Sequence, residues 1–207
     1  MWLILAFCSA ALLGFYDVCK KHALSGNAVL PVLFLNTAIC SLLFLPFIIL
    51  SSYTGLLDSS SFYVEPCGWE QHRYILLKAC IVLSSWIFGY FAMKHLPITI
   101  VGPINATRPV MVLVGAMLVF GERLNVWQWA GVTLAIISFF LLKRSGKKEG
   151  VDFRHNKWIF SLILAAVLGA VSGLYDKYLM APPENGGVGL SRMVVQSWYN
   201  LYQLAMM

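Results

Sequence analysis

Seven apolar stretches, at residues 1–19, 28–50, 74–93, 98–120, 125–142, 158–180 and 191–207, take up most of this chain. Each approaches the roughly 20 apolar residues that a helix needs to cross the hydrocarbon layer of a bilayer. Lipid offers no water to the backbone, so every N–H and C=O must be satisfied within the segment, and the segments are predicted to be helices. A β-barrel would instead show alternating runs of about ten residues, which are absent. Composition agrees: 59% of the 207 residues are hydrophobic and 12% are charged, against about 25% charged in a soluble domain. The first stretch has neither a basic start nor a small-residue cleavage site, and reads as a span that stays. Connections such as residues 94–97 and 121–124 are short enough to make neighbouring helices antiparallel.

The net charge of +6 is a matter of topology rather than nucleic-acid binding, because the basic residues sit in short inter-helical loops. Lys20, Lys21, Lys94, Lys143, Arg144, Lys147, Lys148, Arg154 and Lys157 fall on one side. Arg73, Lys78, Arg123, Lys177 and Arg192 fall on the other, which by the positive-inside rule places the N-terminus outside. The five cysteines lack metal-type spacing and read as small packing residues, and the four histidines are isolated, so no metal site is expected. No nucleophile elbow, P-loop, GxGxxG or HExxH is present, so neither an enzyme, a cofactor nor ATP use is expected. Two connectors are longer. Residues 51–72 form a polar loop, and residues 143–157 (KRSGKKEGVDFRHNK) hold the densest charge. The second divides the chain into a first half at 1–143, a basic connector at 144–157, and the start of a second half at 158–207.

The opening of the chain recurs after that connector. Residues 4–17 read ILAFCSAALLGFYD and residues 163–176 read ILAAVLGAVSGLYD, with seven of fourteen positions identical. Ala6, Ala10 and Gly14, and likewise Ala165, Gly169 and Gly173, form small-xxx-small rows that let helices approach closely in lipid. The copy lies five spans further on, an odd number, so it crosses the membrane in the opposite sense. Inverted repeats of this kind place a substrate site near mid-membrane.

YFAMKHLPITIVGPI at 90–104, LVFGERL at 118–124 and WQWAGVTLAIISFFLL at 127–142, in this order and spacing, make the chain resemble the drug/metabolite transporter superfamily, and within it the EamA type. The resemblance implies an all-α membrane bundle of inverted five-helix repeats, the second repeat incomplete here. It implies secondary transport of a small polar metabolite (an amino acid, a sugar or a nucleotide-linked compound) by alternating access, commonly in a bacterial inner membrane. Family members have ten helices, so the resemblance also implies either about three further helices or a second copy of the chain beside this one. The family usually keeps both chain ends cytoplasmic, which opposes the orientation read from the loops. A non-transporting membrane subunit that binds a partner helix is the alternative.

Arg108 is the leading site residue, since arginine in mid-span costs about 2.5–3.5 kcal/mol on insertion scales and needs a cavity or a partner. Either it binds a carboxylate or phosphate of the substrate, or it pairs with an aspartate. Asn105 and Thr107 add hydrogen-bonding groups, while Pro103 and Pro109 remove backbone donors beside it. The repeat partners Asp17 and Asp176 are either coupling carboxylates or partners of Lys20, Lys21 and Lys177. Tyr16 and Tyr175 line a cavity or anchor the helices at the interface. Asn36, with Asn200 as its counterpart, offers an amide to substrate or to a neighbouring helix. Trp86 and Tyr90 face a cavity or pack. Glu122 and Arg123 close a turn or gate, and Trp127 and Trp129 fit an interfacial belt.

Overall fold

A computed structural model describes residues 2–58, 60–121, 123–146 and 155–207, and among these every regular element is helical. The helices are α1 (Trp2–Leu24), α2 (Val29–Tyr53), α3 (Trp69–His95), α4 (Ile98–Asn105), α5 (Arg108–Phe120), α6 (Val126–Gly146), α7 (Lys157–Met180) and α8 (Arg192–Met206). Short 3₁₀ turns lie at Gly55–Leu57 and Pro183–Asn185. Among the described residues four segments are long and apolar enough to cross a membrane: Val29–Tyr53, Trp69–His95, Ile98–Phe120 and Lys157–Met180. Residues 147–154 of the basic connector, and Glu122 of the turn after α5, lie outside the described residues.

Local chemistry sets the helix limits. α3 begins five residues before its apolar run, because the Gln71 side chain turns back to accept from the Gly68 N–H at 2.9 Å and caps the start. α6 starts on the same device: the Asn125 N–H donates to Gln128 Oε1 at 2.8 Å. Gly121, with φ of 65°, ends α5 in the left-handed conformation that glycine adopts without a steric penalty. Gly187 serves a tight return after α7, where a Cβ would overlap the Ala181 carbonyl.

The expected fourth span is broken. Pro109 has no N–H for the Asn105 carbonyl, so the ladder slips: the Thr107 N–H reaches Ile104 O at 3.1 Å, a 3₁₀ spacing. The Thr107 hydroxyl donates to the same Ile104 oxygen at 2.7 Å, the back-bonding by which threonine bends helices. Regular bonding resumes with Met111 N–H to Thr107 O at 3.0 Å. Arg108 therefore opens α5 instead of lying inside a continuous helix.

The chain forms two compact units. Unit 1 comprises Met1–Val32 and Ile87–Val167; unit 2 comprises Leu33–Trp86 and Leu168–Met207. In unit 1, α4 packs on α1 and α6, and α5 packs on α6. Ile100, Val101 and Ile104 form the buried face of α4. Ala165 of α7 is fully buried, its Cβ 3.6 Å from where a Cβ on Gly89 of α3 would lie. Gly14, in the matching row of α1, has nothing within 4 Å of such a position. The two copies thus share sequence but not surroundings. Phe7, Leu12 and Phe15 of α1 are more than two-thirds exposed, as residues that meet lipid would be. Unit 2 is built on Ile48, Ile75, Ala79, Leu179, Val194 and Val195.

Lys21 ties α1 to the end of α3. Its ammonium donates to the carbonyls of Met93 at 2.6 Å and Leu96 at 2.8 Å, with Lys94 O at 3.3 Å. These are among the carbonyls a helix leaves unpaired at its C-terminus, where a positive charge also meets the negative end of the helix dipole.

Candidate functional site

A charged cluster forms in unit 1 where α1 meets the break between α4 and α5. Asp17 and Lys20 are one helical turn apart on α1 and pair at 2.9 Å. The Lys20 ammonium also lies 4.7 Å from the centroid of the Tyr16 ring and 5.2 Å from that of Tyr90. The two phenol oxygens are 3.1 Å apart, and Tyr90 is only 3% exposed. Arg108 stands within electrostatic range of both Asp17 and Lys20. Its Nε is buried without a hydrogen-bond partner among the described residues, as is Asn105 Oδ1. A buried polar atom left unpaired costs about 1–3 kcal/mol, so this cluster is unsatisfied as it stands. Two cations face one carboxylate, and the helix that Arg108 opens adds the positive end of its dipole. An anionic group is what such an arrangement accommodates.

Unit 2 holds a second cluster. Lys78 of α3, 5% exposed, pairs with Asp176 of α7 and lies 4.5 Å from the centroid of the Tyr199 ring on α8. Around it α8 turns a polar face inward. Asn200 is buried, its side-chain amide donating to Gln196 O at 2.7 Å, and its backbone carbonyl accepts from the Ser41 hydroxyl of α2 at 2.8 Å. Ser197 and Gln203 are fully buried, and Ser197 Oγ and both amide atoms of Gln203 lack partners among the described residues.

The sequence-marked residues therefore separate into groups. Arg108, Asn105, Asp17 and Tyr16 belong to unit 1, where the first two flank the helix break and the last two sit beside Lys20. Asp176 enters the second cluster. Tyr175 donates its hydroxyl to Tyr74 O at 3.3 Å and stacks on Tyr178. Asn36 and Trp86 are half-buried in unit 2, and neither makes a side-chain hydrogen bond into the two clusters among the described residues. A solvent-facing pocket of ≈ 680 Å³ lies elsewhere, lined by Asp58, Tyr63, Glu65, Ser191 and Arg192 among others, and holds none of the marked residues.

Lys78 requires a correction. Counted with the loop charges, it is in fact buried within α3 and does not mark a membrane face. Its position inside an apolar run is the signal that identifies it, since an intramembrane ionisable residue needs a partner. Lys20 carried a similar signal, being three residues from Asp17 on a helix. Gln203 and Tyr199 carried none: a glutamine and a tyrosine near a chain end read as ordinary interfacial residues.

Comparison with known proteins supplies the remaining evidence. The model of the EamA-like transporter family matches residues 1–144. Over 84 residues the chain is 23% identical to a protein of Kluyveromyces lactis described as "UDP-galactose transporter homolog 1", a stretch covering 39% of this chain and 25% of that protein. The chain thus spans about a quarter of the length of that relative. No solved structure matches. With apolar helices of spanning length and a family match over more than half its residues, this chain is an integral membrane protein of the EamA-like transporter family.

Proposed function

We propose that the chain takes part in secondary transport of a small polar metabolite carrying a carboxylate or phosphate, by exposing the Arg108 cluster alternately to the two sides of the membrane. The observation that carries this reading is Arg108 itself, at the break between α4 and α5, with a buried Nε that has no partner among the described residues. Lys20 already holds Asp17 at 2.9 Å, so the cluster keeps one positive charge in excess, which the anionic group of a solute offsets. The tyrosine pair beside Lys20 gives hydroxyls and ring faces to the rest of that solute. Among amino acids, sugars and nucleotide-linked compounds, the last class comes first, because the K. lactis relative is described as a UDP-galactose transporter homolog. The inverted repeat supports alternating access, since α1 and its copy in α7 run in opposite senses under the span count. The plasma membrane, usual for the family, is the setting we assign, and membrane fractionation tests it.

The test is uptake and counterflow in proteoliposomes with UDP-galactose, UMP, glutamate and glucose 6-phosphate, comparing the wild-type chain with Arg108→Ala. At least one solute is expected to be carried, with the variant reduced about tenfold or more, the equivalent of one lost charge-assisted contact. Equal transport of every solute by both proteins would remove Arg108 from the mechanism.

A further inference from the structure

A groove of ≈ 680 Å³ in unit 2 has no role in the reading above. It lies between the loop that follows α2 and the turn from α7 into α8. Met180, the last residue of α7, and Arg192, the first of α8, both line it. The groove therefore sits where a span leaves the hydrocarbon layer, at the depth of lipid headgroups. The same end of the unit carries open apolar side chains: Tyr53, Leu56, Phe62 and Trp69 are each more than half exposed. Tyrosine and tryptophan collect at that depth, with their rings in the interface.

Its lining carries both signs of charge. Asp58, Glu65 and Arg192 are exposed, and Arg192 forms an ion pair with neither carboxylate among the described residues. Arg192 also opens α8, so the positive end of that helix dipole adds to its charge. Beside it, Ser191 Oγ accepts from the Val194 N–H at 3.4 Å, which leaves the hydroxyl proton to be donated elsewhere. A phosphate suits this end of the groove, because charge-assisted bonds to guanidinium are the strong ones. The two carboxylates suit a primary ammonium, which has three N–H donors. A quaternary ammonium has none and calls for a cage of aromatic rings, whereas Tyr63 is the one aromatic lining the groove among the described residues. Met180 and Met193 add an apolar, adaptable lining that suits the start of an acyl chain. We propose that this groove binds the headgroup of phosphatidylethanolamine, with its phosphate on Arg192 and its ammonium on Asp58 and Glu65. The site uses neither Arg108 nor a transported solute, so it stands or falls apart from the transport reading.

Native mass spectrometry tests it, on the purified full chain incubated in detergent with an equimolar mixture of phosphatidylethanolamine, phosphatidylcholine and phosphatidylglycerol of identical acyl chains. Phosphatidylethanolamine is expected to be retained about tenfold over either of the others, the equivalent of one charge-assisted contact. That comparison needs no variant. Asp58→Asn with Glu65→Gln is expected to bring the ethanolamine and choline lipids to equal occupancy. Arg192→Gln is expected to lower retention of phosphatidylethanolamine about tenfold, and Arg108→Ala to leave it unchanged. Equal retention of the three lipids by the wild type, or an unaltered preference in the Asp58 and Glu65 variant, overturns the proposal. Free O-phosphoethanolamine carries the same two charged groups without acyl chains. It is expected to displace the lipid only in large excess, and displacement by an equimolar amount overturns the lipid assignment in favour of a soluble solute.

Discussion

The Lys78 ammonium and the Asp176 carboxylate pair inside unit 2, and Asp176 is the repeat counterpart of Asp17, which pairs with Lys20 inside unit 1. The position matching Lys20 in the copy is Leu179, a fully buried core residue. The second aspartate therefore draws its cation from a different helix, α3. In both units the lysine lies over a tyrosine ring. One sequence motif thus keeps the same electrostatic solution through two different sources of charge.

Breaking the second pair one-sidedly has a predictable cost. Lys78→Met leaves the partly buried Asp176 carboxylate without its cation and is expected to destabilise the protein by about 2 kcal/mol. Lys78→Met with Asp176→Asn removes both charges and is expected to recover at least half of that loss. Thermal unfolding in detergent, followed by tryptophan fluorescence, measures it; a double variant as unstable as the sum of its parts argues against the pair.

Asp17→Asn leaves Lys20 and Arg108 facing each other without a carboxylate. The expected outcome is a folded but less stable protein, lower by about 2 kcal/mol, whose melting temperature rises on adding an anionic solute that the wild type transports. A variant insensitive to such solutes removes Asp17 from the electrostatics of the Arg108 cluster.

Pro109→Ala restores an N–H where the ladder between α4 and α5 fails. The variant is expected to gain stability, by up to about 3 kcal/mol, while its transport rate falls, because the break that presents Arg108 is straightened. A rate equal to the wild type, with the stability gained, shows that the break has no part in transport.

Cys67, in the loop before α3, reports the electrostatics of that loop. Burial, reinforced by the nearby Glu65 carboxylate, pushes its thiol above the usual range. Only the thiolate reacts with maleimides, so alkylation at neutral pH is expected to be slower than for an ordinary exposed cysteine and to keep rising as the solution becomes alkaline. Glu65→Gln is expected to speed the reaction at neutral pH. With the other cysteines replaced by serine, mass spectrometry follows the rate, and an unchanged rate in Glu65→Gln rules out that contribution.

Apolar run length made the helical architecture legible in the sequence, because span length follows directly from bilayer thickness. Pro103 and Pro109 marked the region of the helix break. The break itself falls at Ala106–Thr107, where the N–H that Pro109 lacks lets the ladder slip and the Thr107 hydroxyl bonds back to Ile104 O, and no apolar pattern encodes that. Of the Arg108 cluster, the arginine and aspartate were readable as charges inside or beside spans. Their company was not: Tyr90 comes from a helix more than seventy residues away in sequence. Gln203 was unreadable for a related reason, since only the packing of α8 on α2 and α3 reveals that its amide is buried and unpaired.

The bonds from Lys21 to the carbonyls of Met93, Lys94 and Leu96 also impose an order on biogenesis. When α1 first leaves the ribosome its lysine has none of these acceptors, and they exist only once residue 96 has been synthesised. Until then the cytosol, the translocation machinery or lipid headgroups must solvate that ammonium. The bond that ties α1 to the end of α3 can therefore form only after α3 is complete.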